Sequence, residues 1–129
     1  MSGQHNVIYV AGDWVNFASA RETAEFLEQN GYTIAHKWWE PEARQQTSGN
    51  IEFLRGQIER SDAFVMDIRG VPEGRANAGG HIGMGLAFAR KIPVCFLGKP
   101  LSSLYGSRIC LTNEGMLLEL NAALRCNQE

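Results

Sequence analysis

The sequence lacks the features that would tie it to a nucleic acid or a membrane. In 129 residues, 12 basic side chains stand against 14 acidic ones, and the formal net charge is −2. Proteins that bind nucleic acids or membrane surfaces usually carry an excess of basic residues. No apolar run approaches the ~20 residues needed to cross a bilayer, and no basic segment followed by an apolar one opens the chain. We therefore expect a cytoplasmic protein whose partners include neither nucleic acid nor membrane.

Cysteine and histidine are also scarce, with three residues of each type. Cys95, Cys110 and Cys126 are odd in number and widely spaced, and they form no CxxC pair and no metal-ligand spacing with a histidine. The pattern favours a reducing compartment and predicts no metal site and no cofactor. Repeats, linkers and low-complexity tracts are missing as well, so one domain over residues 1–129 is predicted.

What the sequence does contain is an alternation of strand-like and helix-like segments. The predicted strands are 6–12, 32–39, 62–68, 92–98 and 107–112, the predicted helices are 19–30, 51–61, 79–91 and 113–126, and the polar segment 40–50 is a predicted loop. Such alternation requires right-handed crossovers and hence a mainly parallel sheet with helices on both faces. Ligands of these α/β proteins bind beyond the carboxyl ends of the strands.

Local signals add detail to this pattern. Ser19 is the predicted N-cap of the first helix, with Glu22 completing a capping box, and Asn113 is the predicted cap of the last helix. The consecutive Trp38 and Trp39 are predicted to face opposite sides of a strand. The outward ring then stacks on a planar base or closes a subunit interface, and core or interface packing is the favoured alternative.

Two loops at the predicted carboxyl edge carry candidate binding residues. The first contains Gly12, Asp13, Trp14 and Asn16, which offer an acid, an aromatic face and an amide. The alternative is that Asn and Asp are ordinary turn formers here and that Trp14 caps the sheet. The second contains Asp67, Arg69, Glu73, Arg75, Asn77, Gly79, Gly80 and His81. It opens a helix whose N–H groups and dipole favour an anion, but it is neither GxGxxG nor a P-loop. His81 is isolated, so an ordinary hydrogen-bonding histidine is the alternative to a ligand contact.

The stretches "SDAFVMDI" and "GRANAGGHIGMGLAFARKIPVCFLG" resemble the nucleoside 2-deoxyribosyltransferase family and its nucleotide N-glycosidase relatives. The matching positions are Gly79, Gly85, Ala87 and Pro93-Val94, and the resemblance extends over nearly the whole domain. It implies a flavodoxin-like three-layer sandwich with five mainly parallel strands in the order 2-1-3-4-5. It also implies a homodimer or larger homo-oligomer, because relatives complete their sites with a partner subunit.

The resemblance fails where the chemistry of the family resides. The family has a nucleophilic glutamate at the third place of "HIGMGLAFA", which is Gly83 here, and carboxylates where this chain has Asn77 and Leu54. Without a nucleophile the sugar displacement cannot proceed through a glycosyl-enzyme. We therefore expect a nucleoside- or nucleotide-binding protein with impaired or absent catalysis, and Gly83→Glu is predicted to create cleavage. The alternatives are an active hydrolase or transferase that uses Glu73 or Asp67, and an interaction protein with a vestigial pocket.

Loop chemistry and the resemblance together predict one ligand-binding set. Its members are Tyr9, Gly12, Asp13, Trp14, Arg69, Arg75, Asn77, Gly79, Gly80, His81, Ser102 and Ser103. Arg69 or Arg75 is expected to contact a phosphate. By similarity to nucleotide-using relatives, Ser102 and Ser103 are expected to approach a phosphate as well, in this subunit or a neighbouring one.

Overall fold

The computed structural model describes residues 6–47, 50–72, 77–99 and 108–128. The elements in chain order are β1 Val7–Ala11, α1 Ala18–Gln29, β2 Thr33–Ile34, α2 Pro41–Thr47, α3 Ile51–Glu59, β3 Ala63–Asp67, α4 Ala78–Ala89, β4 Val94–Leu97, β5 Ile109–Cys110 and α5 Asn113–Gln128. Strands and helices therefore alternate as the sequence predicts, with one additional short helix after β2.

The strands form a single parallel sheet in the order β2-β1-β3-β4-β5. In the register, Val10 pairs with Val65, which pairs in turn with Cys95. The predicted α/β flavodoxin-like architecture and its strand order are confirmed. β3 is central and apolar on both faces up to its last residue, as expected for a strand covered by helices on either side.

The two faces of β3 identify the layers. Phe64 and Met66 point toward α4, where they approach Gly83 and Gly80. Asp67, on the opposite face, is bonded by side chains of α1. Helices α1 and α5 cover this second face, and α3 packs beside α4 on the first. The central core residues are almost completely buried: Ile8, Val10, Leu27, Ile58, Phe64, Val65, Met66, Cys95, Phe96, Leu97, Met116 and Leu120.

Two predictions between β1 and β3 are wrong. The predicted loop 40–50 contains α2, a polar helix with Pro41 at its first position, where the missing N–H costs nothing, and Glu42 in its first turn. The predicted strand 32–39 is reduced to β2, and both Trp38 and Trp39 are buried, at 3% and 6% exposure. Because the chain leaves the sheet after Ile34, alternation along a strand does not govern the two rings.

Both predicted helix caps are also wrong. α1 begins at Ala18 after Phe17, with no side-chain cap, and the Ser19 hydroxyl donates to Asp67. In α5 the Gly115 N–H donates to the Thr112 hydroxyl at 3.0 Å, so Thr112 acts as the cap. Asn113 instead directs its amide oxygen at neighbouring elements. The side chains of Ser19 and Asn113 therefore form tertiary hydrogen bonds and do not cap their helices.

Candidate functional site

The candidate site lies at the carboxyl edge of the sheet, where the chain order reverses between β1 and β3. In this topology that crevice is the usual position of a ligand. The loop 12–17 follows β1, and the loop after β3 leads to the N-terminus of α4. The two loops touch on the α1 side, since a Cβ on Gly70 would lie 2.6 Å from the Asn16 carbonyl oxygen.

The end of β3 on the α1 side holds a buried hydrogen-bond network around Asp67. This carboxylate is 1% exposed and accepts bonds from the hydroxyls of Ser19 at 2.8 Å and Thr23 at 3.0 Å. Arg69 donates to the same carboxylate through its Nε and Nη2 atoms and its backbone N–H, at 3.0 to 3.1 Å. The Arg69 Nη2 atom also reaches Thr23 and Asn113. The network joins β3 to α1 and α5.

In this geometry the side chains of Asp67 and Arg69 have a structural role. Both carboxylate oxygens of Asp67 are already bonded, and its side chain lies on the opposite face of the sheet from Gly83. A nucleophile needs a free oxygen aimed at the substrate, so the arrangement speaks against Asp67 as a replacement. Arg69 has its charge neutralised by the same carboxylate. Glu73, the other suggested replacement, lies outside the described residues.

Gly83 has a packing explanation that the sequence does not reveal. It is buried in the middle of α4, and a Cβ added there would lie 3.1 Å from Cε2 of Phe64 and 3.3 Å from Cζ. Phe64 is fully buried and stacks on Tyr9, with ring centroids 5.6 Å apart. A glutamate at position 83 would direct its first methylene into this apolar contact. Close packing of α4 on β3 therefore favours glycine at position 83.

The N-terminus of α4 presents an amide in an unusual state. Asn77 is the N-cap, and its Oδ1 accepts the Gly80 N–H at 3.3 Å. Its Nδ2 atom is buried and has no hydrogen-bond partner among the described residues. A Cβ on Gly80 would lie 2.8 Å from this nitrogen, whereas Gly79 faces open space. A buried amide donor without an acceptor costs free energy, which a ligand oxygen could recover.

His81 lies one turn into the same helix and is half-buried. Its Nδ1 atom is 2.7 Å from the Asn77 carbonyl oxygen, so the imidazole is oriented by the cap of its own helix. The structure thus places Asn77, Gly79, Gly80 and His81 at the N-terminus of α4.

The first loop is held by its own turn. Asp13 is 4% exposed, and its Oδ2 accepts the N–H groups of Val15 at 3.2 Å and Asn16 at 2.6 Å, as in an Asx turn. Gly12 lets β1 approach α1, because a Cβ there would lie 2.6 Å from the Cβ of Ala20. Asp13 therefore follows the alternative interpretation, in which it shapes the turn, and Gly12 is explained by the close packing of β1 against α1.

The remaining predicted ligand contacts divide into two groups. Tyr9 lies in the core at 5% exposure, and burial raises the pKa of its hydroxyl well above the ordinary value. Leu54, which stands where the family has a carboxylate, packs against the core on α3. The predicted contacts Arg75, Ser102 and Ser103 lie outside the described residues.

An aromatic cluster that sequence reasoning found only in part occupies the edge beside β1. Trp14 stacks on Trp38 with centroids 5.6 Å apart, and Phe17 and Trp39 meet Trp38 edge-on. Trp38 donates its indole N–H to the Val10 carbonyl at 2.8 Å. Arg44 of α2 completes this aromatic cluster, which we define as Trp14, Phe17, Trp38, Trp39 and Arg44. The sequence concealed Arg44 because its segment is polar and shows no helical periodicity.

A groove of about 400 Å³ runs between α1 and the segment from Lys37 to Pro41. Its walls carry three carboxylates and two cations, and one pair, Lys37 and Glu28, forms a salt bridge of 2.9 Å. This open surface carries charges of both signs and shares Phe17 and Trp39 with the aromatic cluster. We give it less weight as a ligand site than the buried Asn77 amide, because it presents no unpaired buried donor or acceptor.

Over the described part of the chain, no helix is long and apolar enough to cross a membrane. Within the same residues, no cluster of three or more His, Cys, Asp or Glu side chains could hold a metal ion. The chain matches no protein-family model and no curated protein.

Proposed function

We propose that the protein binds a nucleoside or nucleotide at the carboxyl edge of the sheet, against the N-terminus of α4, and does not cleave the N-glycosidic bond. The buried Nδ2 of Asn77, which has no hydrogen-bond partner among the described residues, is the observation that carries this proposal. It supplies a directed hydrogen-bond donor beside a helix N-terminus, at the edge where α/β sheets of this topology bind ligands. The sequence resemblance to nucleoside 2-deoxyribosyltransferases supports the choice of ligand class.

The proposed absence of cleavage is supported by the state of the two carboxylates that the structure describes at the ends of β1 and β3. At the ends of β1 and β3, Asp13 and Asp67 are both buried and committed to hydrogen bonds within the protein. Gly83 supplies no side chain. Among the described residues of the cleft, no free acid is positioned to attack the anomeric carbon, so these residues are suited to recognising a sugar and a base without cleaving the bond between them.

Thermal unfolding in the presence of deoxynucleosides and their 5′-monophosphates tests the proposal. A ligand at about 100 times its Kd stabilises the folded state by about 2.7 kcal/mol, which a melting curve detects readily. Chromatography of the same mixtures for free base tests for turnover. We expect a thermal upshift with at least one compound and no release of base.

Asn77→Ala and Asn50→Ala form a matched pair of variants. Asn50 is the N-cap of α3, where its side chain accepts the Phe53 N–H at 3.0 Å. Each variant loses one cap, at a cost of about 1 kcal/mol, but only Asn77 offers a buried free amide. The ligand-induced upshift should therefore shrink in Asn77→Ala and persist in Asn50→Ala. Equal upshifts in both variants, or no upshift with any compound, would overturn the proposed site, and release of base would overturn the non-catalytic assignment.

The same proposal includes a cytosolic location, where nucleotides and reduced thiols occur together, and a homodimer or larger assembly. Cys95 and Cys110 are free and buried, in keeping with a reducing compartment. Sedimentation equilibrium tests the assembly, and a monomer at all concentrations would remove that part of the proposal.

A further inference from the structure

Arg44 differs from the arginines whose side-chain hydrogen bonds or ion pairs the structure describes, and also from Arg21, which lies over the Phe17 ring but has no buried unpartnered nitrogen. Arg55 pairs with Glu52 at 2.5 Å, Arg69 pairs with Asp67, and Arg60 and Arg90 donate to backbone carbonyls. Arg44 makes no salt bridge with a described residue, and its Nη1 atom is buried without a hydrogen-bond partner among them. Burying a charged donor unpaired is more costly than burying a neutral one.

The guanidinium is held in place by aromatic rings rather than by acceptors. Its central carbon lies 4.1 Å from the ring centroid of Trp14 and 5.5 Å from that of Phe17. Trp14 is itself stacked on Trp38, which is anchored by its bond to Val10. Cation–π packing of this kind orients a guanidinium without neutralising it or occupying its N–H groups. The cation is thus fixed in position and retains donor capacity.

Arg44 also lies at the edge of the sheet where a ligand-binding residue is expected. Trp14 follows the carboxyl end of β1, and α2 follows β2, so the aromatic cluster lies at the same edge of the sheet as the N-terminus of α4. Trp14 is 38% exposed, which leaves one side of the cluster open to solvent. Guanidinium groups bind carboxylates and phosphates through paired N–H donors.

We propose that Arg44, supported by Trp14, is an oxyanion-binding site that takes the phosphate group of a small-molecule ligand. When that ligand is the nucleotide of the proposed function, on which this extension rests, Arg44 selects the 5′-monophosphate over the nucleoside. The phosphate oxygen accepts from Nη1 and thereby satisfies the buried donor. The site itself requires only the phosphate, so inorganic phosphate is a sufficient probe.

Tryptophan fluorescence provides a direct readout, because all three tryptophans of the chain, Trp14, Trp38 and Trp39, belong to the aromatic cluster. Titration with inorganic phosphate and with deoxynucleoside 5′-monophosphates should change the emission saturably in the wild type. In Arg44→Gln the apparent Kd should rise at least about tenfold, since a hydrogen bond to a charged group is lost. Arg55→Gln removes the same charge from an exposed ion pair and should titrate as the wild type does. Circular dichroism melts of both variants identify any loss of folding.

Arg44→Lys separates this site from one that senses charge alone. It keeps the positive charge without the planar fork, so we expect weakened phosphate binding in spite of an unchanged net charge. No saturable response to phosphate or to any monophosphate in the wild type would overturn the proposal, as would equal affinities in Arg44→Gln and Arg55→Gln.

The outcomes also separate this site from the nucleotide proposal. Arg44-dependent binding of inorganic phosphate, with no thermal upshift from any nucleoside or nucleotide, supports the oxyanion site and overturns the proposed function. Upshifts by nucleotides that depend on Asn77 and are unchanged in Arg44→Gln support the proposed function and overturn the oxyanion site.

Discussion

At the scale of single residues, alanine substitutions at Gly83 and Gly85 are predicted to change stability in opposite directions, although the two glycines lie only two positions apart in α4. Replacing either glycine by alanine gains about 1 kcal/mol of helix propensity. At Gly83 the new methyl would press on the Phe64 ring, which is fully buried and stacked on Tyr9 and so has little room to move. Overpacking of this kind costs about 1–3 kcal/mol, so Gly83→Ala should destabilise the protein by about 1 kcal/mol.

Gly85→Ala is the matched control. It is exposed, and its new methyl would meet nothing within 4 Å, so the helix gain should appear as stabilisation of up to about 1 kcal/mol. Urea denaturation of the two variants measures both free energies of unfolding. If Gly83→Ala is as stable as Gly85→Ala, the close contact with Phe64 does not determine the residue at position 83.

The sequence singled out Gly83 but could not explain it. The family resemblance implies that a glutamate was lost at this position. The ring that leaves little room for a side chain belongs to Phe64, on a strand 19 residues earlier. Asn77 shows the converse. Its position before a glycine-rich helix indicated a site residue, and the structure adds the buried Nδ2. Arg44 was not predicted, because the two rings that hold it, Trp14 and Phe17, lie in the loop after β1, far from α2 in the sequence.

At the scale of elements, the network around Asp67 fastens β3 to α1 and α5, and we predict that Asp67→Ala is strongly destabilising. The variant leaves Arg69, Ser19 and Thr23 without their common acceptor. Removing one member of a buried ion pair costs about 3–5 kcal/mol, and we expect about 3 because the Arg69 side chain is 30% exposed and water replaces part of the interaction. Asp62→Ala serves as a control, because Asp62 is exposed and its carboxylate accepts one hydrogen bond, from the Val7 N–H. Similar losses in the two variants, read from urea denaturation, would contradict the network's role.

The contacts of His36, which follows β2, with Phe53 of α3 and Ala43 of α2 should make stability depend on pH. Burial lowers the pKa of His36, assisted by the positive charge of Arg60, while a hydrogen bond to the Ala43 backbone partly opposes the shift. As pH falls, the unfolded chain protonates this histidine first, near pH 6.5, so the folded state loses relative stability below about pH 7. Thermal melts of wild type and His36→Gln should run parallel above pH 7 and converge or cross as pH falls to 5. Parallel curves over the whole range would show that His36 titrates alike in both states.

At the scale of the whole molecule, the parallel sheet was predictable from the alternation of elements and its strand order was what the family resemblance implied, but the connection between β2 and β3 was not predicted. Alternating apolar runs and amphipathic segments specify a parallel sheet, and right-handed crossovers restrict the possible orders. The segment after Ile34 departs from these rules because two buried tryptophans and a polar helix pack there through tertiary contacts. Periodicity along a sequence reports on regular elements, so it is silent where the core is completed by irregular chain.

The positions of the cysteines in the sheet predict how the folded molecule opens. Cys95 lies in β4 at 0% exposure, and burial raises the pKa of its thiol to about 12, so thiolate is scarce at pH 8. Cys110 lies in the two-residue strand β5, which has a neighbouring strand on only one side within the described part of the chain. Alkylation of Cys95 should therefore require global unfolding, whereas Cys110 should react through local opening of the edge. Pulsed iodoacetamide labelling with peptide mass spectrometry should show Cys110 modified well before Cys95 in water, and equal rates in denaturing urea. If Cys95 reacts as fast as Cys110 in water, then β4 opens together with the edge, and the sheet behaves as one cooperative unit up to its last strand.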